Sequence, residues 1–227
     1  MNARFDEYRQ TYGFMVQESI GFSGLKHDFF LRAKSEALDS LMAARGMNAS
    51  RSRALDIGCG IGALHGHLKG KFATLDGCDI SAESIARAAV ENPWVTYRSY
   101  RERLPYEDAT FDVALASCVV HHVPPPHRPF FFSEMRRVLR PGGVAIVIEH
   151  NPLNPLTRLA VFRCPFDDDA VLIGSRETAA LLQNADLSHP TSVFILLTPV
   201  RHRFAQRIEQ AVSFLPFGAQ YVCSAVA

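Results

Sequence analysis

Apolar positions recur along this chain in two rhythms. Between residues 25 and 45, Phe30, Ala33, Ala37, Leu38, Leu41 and Met42 return at helical spacing, with Lys34, Glu36 and Asp39 between them. Gly46 supplies a stop for that helix. From residue 53 the rhythm changes to short apolar runs separated by amphipathic stretches. It predicts strands over 53–57, 73–79, 94–98, 111–117, 143–149, 191–198 and 219–226. It predicts helices over 62–69, 82–91, 127–139, 175–185 and 201–214. Ser81 is placed to cap the helix that holds Glu83 to Val90, and Pro141-Gly142-Gly143 ends the helix before the next strand. Strands alternating with helices require a parallel sheet covered on both faces, an α/β fold. No internal repeat and no low-complexity linker interrupts the pattern, so 1–227 reads as one domain: a helical cap over 1–48 and a core over 49–227.

The junction of the first predicted strand and helix carries the chemistry. Arg53-Ala-Leu-Asp56-Ile-Gly58-Cys59-Gly60-Ile-Gly62 is a strand running into a glycine turn, with Asp56 two positions before the first glycine. Glycines remove side chains and free the backbone, so a ligand can lie against the main chain. A helix starting at residue 62 would add unpaired N–H groups. Asp79 ends the second strand, where a carboxylate can accept both hydroxyls of a ribose. A nucleoside-containing cofactor suits this unit. Gly58, Gly60 and Ala63 also satisfy the dinucleotide fingerprint loosely, which keeps an NAD(P)-dependent oxidoreductase as a rival. Asp56 argues against it, because a carboxylate beside the turn repels a pyrophosphate and attracts a cation.

Two downstream motifs sharpen the choice: Leu104-Pro-Tyr-Glu-Asp-Ala-Thr-Phe-Asp-Val113 and Arg137-Val-Leu-Arg-Pro-Gly-Gly143. With Leu55-Asp-Ile-Gly-Cys-Gly60, they make the chain resemble the class I S-adenosylmethionine (SAM) methyltransferases, near the small-molecule subset of ubiquinone and menaquinone pathways. The resemblance is strong over about residues 50–150. It implies a Rossmann-like, seven-stranded, mostly parallel sheet with helices on both faces, one antiparallel edge strand and an N-terminal helical lid. It implies SAM as cofactor and S-adenosylhomocysteine (SAH) as product. Asp56, Gly58, Cys59, Gly60, Gly62, Asp79, Ile80 and Ser117 are then the cofactor-binding residues. Relatives carry an acid four positions before the Leu-Pro pair; here that position is Tyr100, which leaves Ser99, Glu102 or backbone groups to read the adenine edge.

The bulk properties narrow the partners. The chain has 227 residues, 48% hydrophobic and 21% charged, with a net charge of +1. That balance gives no basic field for nucleic acid or an anionic membrane. Five cysteines form no C-x-x-C pair, and the charged N-terminus lacks an apolar signal core, so a cytoplasmic protein is expected. No apolar run is long enough to span a bilayer.

The expected partner is a small acceptor, apolar or aromatic. Ser117-Cys-Val-Val-His121-His122-Val123 follows the fourth strand, and Glu149-His150-Asn151-Pro-Leu-Asn-Pro155 follows the fifth. Ligands of open α/β sheets sit at such strand ends. His122, His121, His150 and Glu149 are therefore the candidate bases, with Asn151 as an acceptor contact. Asn151 and Asn154 also suit turns before prolines. Asp167-Asp168-Asp169 reads as a solvated turn, with no metal expected. In relatives an aromatic N-terminal segment folds over the site; Tyr8 and Tyr12 are its counterparts here, as acceptor contacts. A base is needed only for a hydroxyl, a protonated amine or an acidic carbon. Oxygen is the first choice because histidines are present, with nitrogen and carbon open. A SAM-binding protein without catalysis is the remaining alternative.

Overall fold

The computed structural model describes residues 12–200 and 203–227. Seven strands form one sheet: β1 (Arg53–Ile57), β2 (Thr74–Asp79), β3 (Thr96–Ser99), β4 (Phe111–Ser117), β5 (Leu139–His150), β6 (Ser188–Ile195) and β7 (Gln220–Val226). Their order is β3-β2-β1-β4-β5-β7-β6. The first five run parallel, and β7 runs antiparallel to both β5 and β6. Helices α1 (Tyr12–Ser19), α2 (His27–Ala44), α3 (Ala82–Glu91), α4 (Arg128–Val138), α5 (Pro155–Phe162), α6 (Ser175–Asn184) and α7 (Arg203–Ala211) complete the described chain.

The central strands are apolar in continuous runs because helices cover both faces. Residues 111–116 of β4 and 144–149 of β5 are all buried. One core layer gathers Leu55, Ile57, Phe132, Met135 and Tyr221; the other gathers Leu38, Met42, Leu115, Ile146 and Ile148. The predicted caps form: Ser81 Oγ accepts the Ser84 N–H at 3.1 Å.

Three expectations are corrected, and one helix is added. The antiparallel strand is internal rather than at the edge. β7 is buried along residues 220–225 and needs neighbours on both sides, whereas β6 is polar and half-exposed and suits the edge. The helix expected over 62–69 is only a 3-10 turn, His65–His67. Gly66 weakens a helix there, and the fully buried His65 ring is anchored toward β1 and β3 instead. Pro141-Gly142-Gly143 lies inside the first half of β5, where the register against β4 shifts. Helix α5 went unpredicted. Asn154 caps it, its Oδ1 accepting the Leu156 and Thr157 N–H groups at 3.0 Å each, with Pro155 as the first helical residue.

Candidate functional site

A cavity of about 530 Å³ opens at the carboxyl ends of β1, β2 and β4. Its wall includes Asp56, Gly58, Cys59 and Gly60 from the glycine turn, Asp79 and Ile80 from the end of β2, and Ser117 and Cys118 from the end of β4. Helix α2 closes one side with His27, Leu31 and Lys34. The loop after β3 contributes Tyr100, Arg101 and Glu102.

The turn has the shape its sequence demands. Gly58 and Gly60 have φ of 72° and 53°, in the left-handed region. A Cβ on Gly58 would lie 2.6 Å from the Val119 side chain, whereas a Cβ on Gly60 would meet nothing within 4 Å. Space for a ligand therefore lies over Gly60. Asp79 fixes the turn: its Oδ2 accepts the Gly60 N–H at 2.8 Å and its Oδ1 accepts the Ser81 N–H at 2.9 Å. Burial raises the Asp79 pKa above the ordinary carboxylate value.

Asp56 is 3% exposed. Its Oδ2 is 3.0 Å from His65 Nε2, and His65 Nδ1 is 2.6 Å from the Tyr97 hydroxyl. Its other oxygen, Oδ1, has no hydrogen-bond partner among the described residues. A buried, half-satisfied carboxylate on a cavity wall calls for a donor from a ligand. His65 and Tyr97 were missed at the sequence level. The only signal was a histidine between Leu64 and Leu68 on an expected apolar face.

The ends of β4 and β5 meet. The His121 ring centroid is 4.2 Å from that of His122 and 5.1 Å from that of His150. Glu149 is fully buried; its Oε1 accepts the Val119 and Val120 N–H groups at 2.9 and 2.6 Å, and its Oε2 lies 2.6 Å from His121 Nδ1. Burial opposes ionisation of this pair, but mutual attraction outweighs it, lowering Glu149 and raising His121. Beside them, Cys118 Sγ is 3.0 Å from Lys34 Nζ and 3.4 Å from Gln220 Nε2. Burial would raise the Cys118 thiol, yet Lys34 and His150 hold it down at about 6.

Comparison with known proteins accords with this geometry. Residues 55–147 match the Methyltransferase domain family. An uncharacterized methyltransferase of Synechocystis is 34% identical over 139 residues, 60% of this chain and 62% of that protein. A ubiquinone biosynthesis O-methyltransferase of Rhizobium leguminosarum is 35% identical over 115 residues, 48% of this chain and 45% of that protein. The aligned region thus spans less than two thirds of these relatives. A solved SAM-dependent methyltransferase of Thermotoga maritima, described as a possible histamine N-methyltransferase, shares the fold: TM-score 0.67, 22% identity, 97% of this chain and 94% of that one. Residues 55–147 thus carry a methyltransferase domain, and the fold around it is the one seen in solved SAM-dependent methyltransferases.

A domain of this kind implies SAM as the cofactor. Of the methyltransferase residues expected at the site, Asp56, Gly58, Cys59, Gly60, Asp79, Ile80, Ser117 and His122 line the cavity. Gly62 lies behind it, where a Cβ would be 2.6 Å from the Tyr97 hydroxyl. The expectation that Glu149 and His121 face an acceptor is corrected: both are buried behind the cavity wall and bonded to each other. His150 is likewise outside the wall. Asn151 is corrected too. It is 1% exposed, donating to the Pro216 and Gly218 carbonyls at 3.0 and 2.8 Å and accepting the Leu153 N–H at 3.1 Å, so it builds the turn. Tyr8 and the Tyr12 side chain lie outside the described residues. Asp167 does not sit in a solvated turn: its side chain is 11% exposed and faces the paired histidines. Among the described residues no helix is long and apolar enough to cross a membrane.

Proposed function

We propose that this chain transfers a methyl group from SAM to a small-molecule acceptor. The observation that carries the reading is the partnerless Asp56 Oδ1 on the cavity wall, beside a Gly60 whose missing Cβ leaves room for a ligand. That carboxylate suits the cationic amino group of a methionine moiety and repels a pyrophosphate. Gly58, Cys59, Gly60 and Ser117 flank the same moiety, with Gly62 holding the turn behind it. Asp79 accepts the ribose hydroxyls. Ile80 packs against the adenine, and the Tyr100–Glu102 loop reads its edge. When bound, the sulfonium cofactor supplies an activated methyl group; the chain's own task is positioning and exclusion of water.

The acceptor end is lined by Phe130, Phe131, His122, Phe166 and Asp169. Its aromatic rings favour an apolar or aromatic acceptor body. His122 places an imidazole at this end, which favours an oxygen nucleophile whose proton must be lost. Two of the three named proteins point to different atoms, one an O-methyltransferase and one a possible N-methyltransferase, so neither acceptor is carried over. Calorimetry with SAH and with NADH tests the reading. SAH is expected to bind and NADH not to. Tight NADH binding without SAH binding would overturn it. His122→Gln is expected to lower turnover while leaving SAH affinity within a few-fold.

A further inference from the structure

The acceptor end holds a cluster that neither the glycine turn nor the cofactor uses. His121, His122 and Asp167 each present one ligand atom, all within 4.8 Å of one another. Asp167 Oδ1 lies 3.3 Å from His122 Nε2 and 3.6 Å from His121 Nε2. Neutral N–H···O bonds centre near ~2.9 Å. The edges of a tetrahedron with metal–ligand arms of ~2.0–2.1 Å are about 3.3 Å. The two Asp167–imidazole distances therefore fit the edges around a shared ion better than short direct hydrogen bonds.

Outer partners point the same way. A ligating histidine commonly gives its second ring nitrogen to a carboxylate, which fixes the tautomer and orients the ring. His121 Nδ1 is 2.6 Å from Glu149 Oε2, so its Nε2 is the nitrogen turned toward Asp167. His122 Nδ1 is 3.6 Å from Asp169 Oδ1, a charge contact rather than a hydrogen bond. Glu149, Asp167 and Asp169 place three carboxylates around two imidazoles, a charge that a dication offsets. The scaffold is braced. The Val171 N–H donates to the His121 carbonyl at 2.8 Å, and Arg128 bonds the Val123 and Val171 carbonyls, tying the two loops together. His122 and Asp169 stand on the cavity wall, so an open coordination position would face the acceptor.

We propose that His121, His122 and Asp167 form a divalent transition-metal site at the acceptor end of the cavity, with Glu149 as its outer carboxylate. Two imidazoles and one carboxylate select zinc, iron or cobalt over magnesium or calcium. Three protein ligands with an open position are the pattern of a reactive rather than a closed structural site. The acceptor class that follows has an oxygen or sulfur donor able to ligate the ion, next to an apolar body. The acceptor class rests on the proposed methyl transfer; the metal site does not.

The test uses the full chain, stripped with a chelator and titrated with Co²⁺ alone. One equivalent is expected to give visible ligand-field absorption, and Zn²⁺ is expected to displace it. His122→Gln and Asp167→Asn should each abolish the band, with circular dichroism showing that the variants remain folded. Glu149→Gln should weaken cobalt binding about 10- to 100-fold, the usual effect of losing an outer partner. SAH calorimetry on the stripped protein should be unchanged, which separates this site from the cofactor reading. Absence of a cobalt band in the folded wild type, or equal binding by His122→Gln and Asp167→Asn, would overturn the proposal. Failure of SAH to bind with the band intact would overturn methyl transfer instead.

Discussion

Replacing Asp79 with Asn tests the cofactor reading with numbers that the geometry supplies. Both Asp79 oxygens accept backbone N–H groups, from Gly60 at 2.8 Å and from Ser81 at 2.9 Å. Asparagine has one acceptor oxygen, so one of those donors would face an NH₂ group. A buried donor left without a partner costs about 1–3 kcal/mol, before any ligand is considered. At roughly 2–4 °C per kcal/mol for a chain of this size, the melting temperature should fall by about 2–12 °C. A ribose hydroxyl donating to the carboxylate adds a charge-assisted bond of about 1.5–3 kcal/mol. Its loss weakens SAH binding by about 10- to 150-fold. Thermal unfolding reads the first effect and calorimetry the second. An SAH analogue lacking the ribose 2′-hydroxyl then closes a double-mutant cycle: wild type should lose affinity on that change, and the variant should lose little more. Equal SAH affinity in wild type and variant, or equal loss with the analogue in both, would refute the assignment of Asp79 to the ribose.

Three further outcomes follow from the same geometry. Gly58→Ala and Gly60→Ala both incur the left-handed backbone penalty of about 1–2 kcal/mol. Only Gly58→Ala also drives a Cβ into Val119, so it should unfold at lower temperature, while Gly60→Ala should lose SAH affinity out of proportion to its stability. His65→Gln, which cannot reach both Asp56 and Tyr97, should lower stability by about 1–3 kcal/mol in urea unfolding, and wild-type stability would refute the two His65 hydrogen bonds. The Cys118 thiol, held down at about 6, is largely thiolate above that pH. Its iodoacetamide alkylation rate should therefore rise with a midpoint near 6, and Lys34→Met should move the midpoint upward; a wild-type midpoint near ~8.5 would refute the Lys34 contact.

Much of this protein is written in local sequence. The runs Ala54–Ile57, Val113–Ala116 and Val144–Ile148 read as strands because each is buried on both faces and so is apolar throughout. Gly58 and Gly60 were legible because the turn needs positive φ, a demand that acts within a few residues. The positions of Asp56 and Asp79 on the cavity wall were legible because strand ends mark the ligand crevice of such sheets. What sequence left open depends on atoms distant along the chain. His65 looked like part of a helix face, yet Asp56 and Tyr97 hold it through two hydrogen bonds that no periodicity encodes. Lys34 looked like a solvent-facing position of α2, but Cys118 draws it to 7% exposure on the cavity wall. Glu149 and Asn151 sit at the predicted strand end, and only the fold decides that their side chains brace neighbouring loops rather than face the cavity. The clearest case is Asp167. In sequence it is one of three acids on a loop; in space the bonds from Val171 to His121 and from Arg128 to Val123 and Val171 bring that loop against the paired histidines. Backbone preference and burial act locally and leave a pattern that can be read, whereas the pairing of polar groups across the sheet is set by which loops the topology makes neighbours.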